Sequence, residues 1–362
     1  MKILLPINID RWRSSIATQL RAVVEANPDL EFTSFSSPTS EEDRQRGEVF
    51  WNLPQVTKAS QAMALTRRYD IVQLAAISRK NMLAARIARL RGCGSTKIVS
   101  ILCLEIVKED VCSWRNYHRL LPLPDYFLAV SHAAGVLPMM DAPERYKGVI
   151  PNGFDEVFFD PAVADGTDLP EEVRRIGGRP FLLYVSSVEP RKRTDFLLRM
   201  ADRMPDVMFV AAGFVVPGMG EPYLKELCRK PNIIWLGLIE KRVLRELYRV
   251  ASALFFPSER EGMPLAIIEA FGMGLPVIAQ PKSSMPDLVK PGVNGELIDC
   301  SEEDTWESVC RKYLAQPISE REQFRKTIRR WAIENHSWSK VGRLYGRFYK
   351  AIRDGKVDSW QQ

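Results

Sequence analysis

A chain of 362 residues with 46% apolar and 27% charged side chains has the balance of an ordinary globular protein, with length for two domains of common size. The net charge of +6 favours anionic ligands or lipid surfaces and is too mild to argue for nucleic-acid binding. No apolar run reaches membrane-spanning length, and the opening Met1 to Pro6 is too short and too soon broken for a signal peptide, so the expected place is the cytoplasm. The histidines, His118, His132 and His336, are too few for a multi-histidine zinc site. The six cysteines contain no Cys-x-x-Cys pair and read as reduced, buried thiols.

The first half alternates strand and helix patterns. Strands are expected at 2–7, 30–35, 70–74, 97–104 and 126–131, with helices at 13–25, 56–67 and 79–91 and a polar surface loop at 36–48. Such alternation predicts a parallel sheet with crossover helices. The 79–91 helix sets Arg79, Lys80, Arg86, Arg89 and Arg91 against Met82, Leu83, Ile87 and Leu90. This is either a core-facing stripe with a solvated basic side or a face for a membrane surface.

A second alternation follows Pro151-Asn152-Gly153, after a stretch at 160–178 rich in Asp, Glu, Pro and Gly. Strands are expected at 180–188, 207–212 and 233–237, with helices at 194–204, 223–229 and 240–250. Residues 254–279 then read as strand, tight loop, short helix and strand. Gly262 permits close backbone approach, and Pro264 suits a first helical turn, where its missing N–H would be unpaired anyway. The helix N-terminus therefore offers free N–H groups to an anion. Glu261 precedes this helix and Glu269 interrupts its apolar surface, where a carboxylate needs a partner. Helices at 302–314, 320–335 and 339–353 close the chain. The economical architecture is α/β, two doubly wound lobes with a helical tail.

Open parallel sheets bind ligands at the carboxyl ends of their strands. There Ser186-Ser187-Val188-Glu189-Pro190-Arg191-Lys192 follows a strand and precedes a helix. Arg191 and Lys192 suit a diphosphate, one by forked hydrogen bonds and the other as a point charge; a solvated basic loop is the alternative.

These residues carry a resemblance. Glu261-Gly262-Met263-Pro264-Leu265 followed by Glu269 resembles the Glu-x7-Glu motif of retaining family 4 glycosyltransferases. In order along the chain, Pro151-Asn152-Gly153-Phe154-Asp155, Glu189-Pro190-Arg191-Lys192, Gly274 to Ala279, and Gly292-Val293-Asn294-Gly295 resemble further segments of that family. His336-Ser337-Trp338 precedes the type of helix that crosses back to the first lobe.

The resemblance implies the GT-B fold, two Rossmann-like lobes facing a central cleft. The acceptor lobe would span 1–150, the donor lobe 151–335, and the returning helix 336–362. It implies an enzyme that moves a sugar from a UDP- or GDP-sugar to a glycan, lipid-linked or other acceptor. Configuration would be retained, and neither a metal nor another cofactor would be needed. Glu269 would bond the ribose hydroxyls, Glu261 would lie near the donor sugar, and the Gly262, Met263, Pro264 and Leu265 backbone would approach sugar or diphosphate. Arg191 and Lys192, with Ser187 in the same loop, would meet the departing diphosphate, whose growing charge needs fixed positive groups. Leu236 and Gly237 would contact the base. Glu259 beside Glu261 is a rival for the sugar role, while Asn152, Gly153 and Trp338 read as structural.

The first lobe departs from the family pattern. The segment after its first strand, Pro6 to Trp12 with Asn8 and Asp10, has no glycine, and the run ending in Glu105 offers no histidine. Asn8, Asp10 and Glu105 are the candidate contacts there, and His132 reads as a helix-start residue. Those departures keep a non-catalytic sugar-nucleotide-binding or scaffold homologue open as the alternative. An NAD(P)-dependent oxidoreductase also fits a doubly wound sheet, but no Gly-x-Gly-x-x-Gly follows the strands at Lys2 or Phe181.

Overall fold

The computed structural model describes residues 1–6, 15–34, 68–75, 79–92, 94–164 and 166–361. The expected helix at 56–67, the loop at 36–48 and the candidates Asn8 and Asp10 lie outside the described residues. Two compact units emerge: Met1–Asn152 with Trp338–Gln362, and Gly153–Ser337.

In the first unit, β1 (Lys2–Leu5), β2 (Glu31–Ser34), β3 (Ile71–Leu74), β4 (Lys97–Leu102), β5 (Tyr126–Ala129) and β6 (Tyr146–Val149) form one sheet. All pairs are parallel, in the order β2-β1-β3-β4-β5-β6. Its central strands are mostly apolar because a parallel sheet is covered on both faces; Ile3, Leu4, Ile71 and Val72 are fully buried. The helices are α1 (Ser15–Glu25), α2 (Arg79–Arg91), α3 (Val111–Leu120) and α4 (His132–Asp141). Asp110 and Ser131 cap the last two by accepting from Ser113 N and Ala134 N, which satisfies N–H groups that have no partner within the helix. His132 is indeed a helix-start residue. The apolar stripe of α2 splits: Met82 is buried, whereas Leu83 and Leu90 are 58% and 79% exposed beside exposed Arg86 and Arg91.

The second unit repeats the plan with β7 (Phe181–Val185), β8 (Met208–Ala212), β9 (Ile233–Trp235), β10 (Ala253–Phe256), β11 (Val277–Ala279) and β12 (Gly295–Leu297). Again all pairs are parallel, in the order β12-β11-β10-β7-β8-β9. Its helices are α5 (Glu171–Arg174), α6 (Thr194–Arg203), α7 (Glu221–Leu227), α8 (Lys241–Val250), α9 (Leu265–Gly272), α10 (Met285–Leu288), α11 (Glu303–Ala315) and α12 (Ile318–His336). Strand alternation sends Phe255 to one face of the sheet, where it stacks on Phe196 at 5.9 Å and meets Trp306 at 4.8 Å. Phe256 takes the other side and lies 5.9 Å from Lys192 Nζ. One strand thus anchors the core and floors the ligand edge.

The chain then re-enters the first unit as α13 (Trp338–Arg353). Gly342 and Gly346 let α13 lie close on the end of α1: a Cβ at 342 would fall 2.4 Å from Ala26 Cβ, and one at 346 would fall on the Asn27 side chain. Asn27 Nδ2 donates to Gly342 O at 2.8 Å. Gln19 Nε2 donates to Tyr345 Oη at 2.8 Å and Asn152 Oδ1 at 3.2 Å, so buried polar groups on three segments satisfy one another.

The cysteine expectation needs correction. Cys300 and Cys310 are buried, but Cys103 is half-buried and Cys112 and Cys228 are exposed; these five described cysteines are free thiols. Cys112 sits in the first turn of α3 and Cys228 follows α7 as its C-cap, both positions that face solvent.

Candidate functional site

The carboxyl edge of the second sheet gathers the loop after β7, the loop after β10 and the start of α9. Pro190–Lys192 forms a 3-10 turn, and Arg193, in a left-handed conformation at φ 54°, redirects the chain into α6. Tyr184, fully buried beneath, donates from its hydroxyl to Lys192 O at 3.2 Å, and burial pushes its phenol well above the ordinary tyrosine range. The Lys192 backbone is therefore held from below by the strand that precedes it.

The two cations converge on Glu261. Lys192 Nζ donates to Glu261 Oε1, which also accepts from Ser258 Oγ at 2.7 Å; Arg191 Nη1 lies 3.5 Å from Oε2. Glu261 is only 7% exposed. The rival Glu259 is an exposed neighbour paired with Arg193 at 3.2 Å, so burial separates the two carboxylates that sequence left open. Burial draws the Lys192 ammonium below its usual lysine value, with Glu261 pulling the other way. Arg191 is oriented twice more, donating to Arg260 O and to Glu189 Oε1, each at 2.8 Å. Ser187 Oγ donates to the same Glu189 oxygen at 2.6 Å. Burial works to raise the Glu189 carboxyl, but Ser187 and Arg191 outweigh it and hold the group below its ordinary value.

Ser283 fixes the backbone of this loop. Its hydroxyl accepts from Glu261 N at 3.1 Å and donates to Glu261 O at 2.7 Å, with Ser283 itself left-handed at φ 55°. A strained serine whose side chain bridges both main-chain groups of one residue is a positioning device. Gly262, Met263 and Pro264 are buried and Leu265 half-buried. Pro264 lies just ahead of the first helical turn rather than in it, extended at ψ 122°.

Glu269, on α9 and 6% exposed, has the partner its burial demands: Lys241 Nζ, at the start of α8, donates to Oε1 at 3.1 Å. Leu236 and Gly237 follow β9 half-buried, with Gly237 left-handed at φ 66° and its carbonyl accepting from Gly213 N at 2.8 Å. Behind these helices, α12 supplies two guanidinium groups to carbonyls at the ends of α8 and α9 and in the turn at 156–159. Arg325 donates to Tyr248 O, Ala251 O and Met273 O, and Arg329 to Gly272 O, Phe159 O and Glu156 O. Burial pulls Arg325 down to about 10.

Of the candidate residues, Ser187, Arg191, Lys192, Glu261 and the 262–265 turn meet at one edge, and Glu269 stands further along the same helix. Glu105 lies in the first unit, half-buried just beyond β4. Sequence reasoning passed over Glu189, Lys241, Ser258 and Ser283. For Glu189 a signal was present, a carboxylate two residues before an arginine in a ligand-edge loop.

Residues 166–331 match the family described as glycosyl transferases group 1. The matched segment lies wholly within the second unit. Among curated relatives, a D-inositol 3-phosphate glycosyltransferase of Mycolicibacterium gilvum is 30% identical over 49% of this chain and 41% of that protein. An alpha-galactosylglucosyldiacylglycerol synthase of Streptococcus pneumoniae is 28% identical over 67% of this chain and 64% of its own length. The chain thus spans less than two thirds of these relatives. Among solved structures, HepE of Anabaena in complex with UDP and glucose aligns with TM-score 0.75 and 17% identity over 97% of this chain and all of that one. Sucrose-phosphate synthase of Thermosynechococcus elongatus aligns with TM-score 0.73 and 17% identity over 98% and 100%. The fold is GT-B, two Rossmann-like units each built on a six-stranded parallel sheet.

Proposed function

We propose that this chain is a group 1 glycosyltransferase that moves a sugar from a nucleoside-diphosphate sugar to a hydroxyl of a glycan or lipid-linked acceptor, retaining anomeric configuration. The observation that carries the reading is the convergence of Arg191 and Lys192 on Glu261 inside the family segment. In this proposal Glu261 exchanges its cations for the donor: Arg191 and Lys192 turn to the diphosphate while Glu261 accepts from the sugar hydroxyls. As the bond from the anomeric carbon to the diphosphate oxygen breaks, charge grows on that oxygen, and preorganised cations stabilise it without reorganising. They take the place of a divalent metal. Glu269 accepts from ribose hydroxyls, the backbone at 262–265 lines the sugar and diphosphate, and Leu236 with Gly237 borders the base.

Complexes of HepE with UDP and with UDP-glucose support a uridine nucleotide as the first donor to try. The name of the pneumococcal relative denotes a glycolipid product. Together with exposed Leu83, Leu90, Arg86 and Arg91 on α2, it supports a lipid-linked acceptor met at the inner face of a membrane. No helix among the described residues is long and apolar enough to cross one.

A thermal-shift screen with UDP, GDP and ADP tests the donor side. A ligand at a hundred times its Kd adds about 2.7 kcal/mol, worth roughly 5–10 °C for a unit of this size. Glu269→Ala should abolish the shift, whereas Glu261→Ala should retain most of it and depress transfer from the matching nucleotide sugar by about a hundredfold. Equal nucleotide binding by wild type and Glu269→Ala would overturn the ribose role. Nucleotide binding with no transfer to any glycan or lipid acceptor would identify a non-catalytic homologue.

A further inference from the structure

Lys241 occupies a position that helix electrostatics disfavours. It is the first residue of α8, whose first turn also carries Arg242 and holds no acidic residue, although the positive end of a helix dipole repels cations. Arg242 is offset by Glu240 at 2.9 Å and Asp168 at 3.8 Å. Lys241 instead reaches from α8 to α9, where its Nζ meets Glu269 Oε1 at 3.1 Å and stands 5.6 Å from the Phe159 ring. The lysine side chain is 48% exposed and the glutamate 8%, so a half-exposed ammonium is paired with a nearly buried carboxylate. Among the described residues, Glu269 Oε2 accepts no side-chain hydrogen bond, and Oε1 retains a second acceptor direction.

Resting on the assignment of Glu269 to the ribose, we infer that Lys241 is a specificity-determining residue that reads the ribose diol jointly with it. A vicinal diol offers, on each oxygen, one proton to give and lone pairs to accept with. A lone carboxylate can use only the protons. An ammonium and a carboxylate oxygen 3.1 Å apart present a donor and an acceptor side by side, at a spacing close to that of neighbouring hydroxyl oxygens. Glu269 accepts from one hydroxyl while Lys241 donates to the oxygen beside it. Both bonds are charge-assisted, and both strengthen because the carboxylate is shielded from water. A nucleotide lacking the 2′-hydroxyl forfeits the paired recognition and leaves the charged pair imperfectly matched, the situation in which polar sites discriminate most.

The test is calorimetric titration of wild type, Lys241→Met, Lys241→Arg and Glu269→Ala with UDP and 2′-deoxy-UDP, or with the guanosine pair if the nucleotide screen selects GDP. Wild type should prefer the ribonucleotide by about ten- to a hundredfold, the range for hydrogen bonds to charged groups. Lys241→Met should weaken ribonucleotide binding about tenfold and leave deoxynucleotide binding nearly unchanged, collapsing the ratio, while Lys241→Arg restores a large part of it. A merely structural lysine would weaken both nucleotides equally, and a lysine that only competes for Glu269 would give tighter binding when removed; either result overturns the inference. If Glu269→Ala loses the nucleotide but Lys241→Met keeps the wild-type ratio, the fault lies with Lys241 alone. If Glu269→Ala binds like wild type, the donor-site reading itself fails.

Discussion

Replacing Lys192 by Met removes a buried cation whose side chain is 11% exposed from a carboxylate that is 9% exposed. Breaking a buried pair by deleting one member costs about 3–5 kcal/mol when the survivor is left uncompensated. Glu261 would keep the Ser258 hydroxyl at 2.7 Å and Arg191 at 3.5 Å, and this partial compensation brings the cost to the bottom of that scale or just below it, about 2–3 kcal/mol. For a unit of this size each kcal/mol moves the midpoint by about 2–4 °C, which predicts a fall of roughly 4–12 °C in differential scanning calorimetry of the second unit. Glu261→Gln leaves Lys192 buried in turn and should cost a similar amount. The double variant abolishes both charges, and its loss should fall short of the summed single losses by about 2 kcal/mol, within the coupling range of residues in contact. Additive single effects, within about 0.5 kcal/mol, would refute the claim that this pair is a coupled buried unit in the free protein.

The Arg325→Met variant leaves the carbonyls of Tyr248, Ala251 and Met273 without their donor. Each charge-assisted bond is worth about 1.5–3 kcal/mol, and relief from burying the guanidinium offsets part of that sum. Urea denaturation should show a net loss of about 2–4 kcal/mol, and a variant as stable as wild type would contradict the helix-clamp role. Glu189 is held below its ordinary value, so its contribution is present above the unfolded carboxyl value and lost as pH falls through the folded one. The Tm gap between wild type and Glu189→Gln should therefore be largest near neutral pH and narrow as pH falls below the ordinary glutamate range; a gap independent of pH would rule out the linkage.

The sheets were legible because buried parallel strands advertise themselves as unbroken apolar runs, as at Leu254-Phe255-Phe256 and Val277-Ile278-Ala279. Two of the edge strands carry no such run. β6, Tyr146-Lys147-Gly148-Val149, is half-buried throughout, and β12 is three residues long, beginning at a glycine, so neither stood out from the loops beside it. α3 escaped because its buried face is only Tyr117 and Leu120 amid polar residues. Within the site, residues announced by local anomaly were found: a carboxylate in an apolar helix, adjacent cations after a strand. Lys241 and Ser283 matter through partners 28 and 22 residues away, and nothing in their neighbourhoods betrays the meeting. Such pairings belong to the register of elements on the sheet, which periodicity does not encode.

The return of α13 to the first unit has a consequence for how the protein is made. The second unit is a single uninterrupted segment, Gly153–Ser337, whereas the first awaits a helix that follows the whole of the second. During synthesis, then, the usual order in which amino-terminal domains finish first is inverted. The face of α1 that receives Gly342 and Gly346, and the Gln19 amide that awaits Tyr345, must stay uncovered while the entire second unit emerges and folds. Of these two units, the one that starts to emerge first is the last to close.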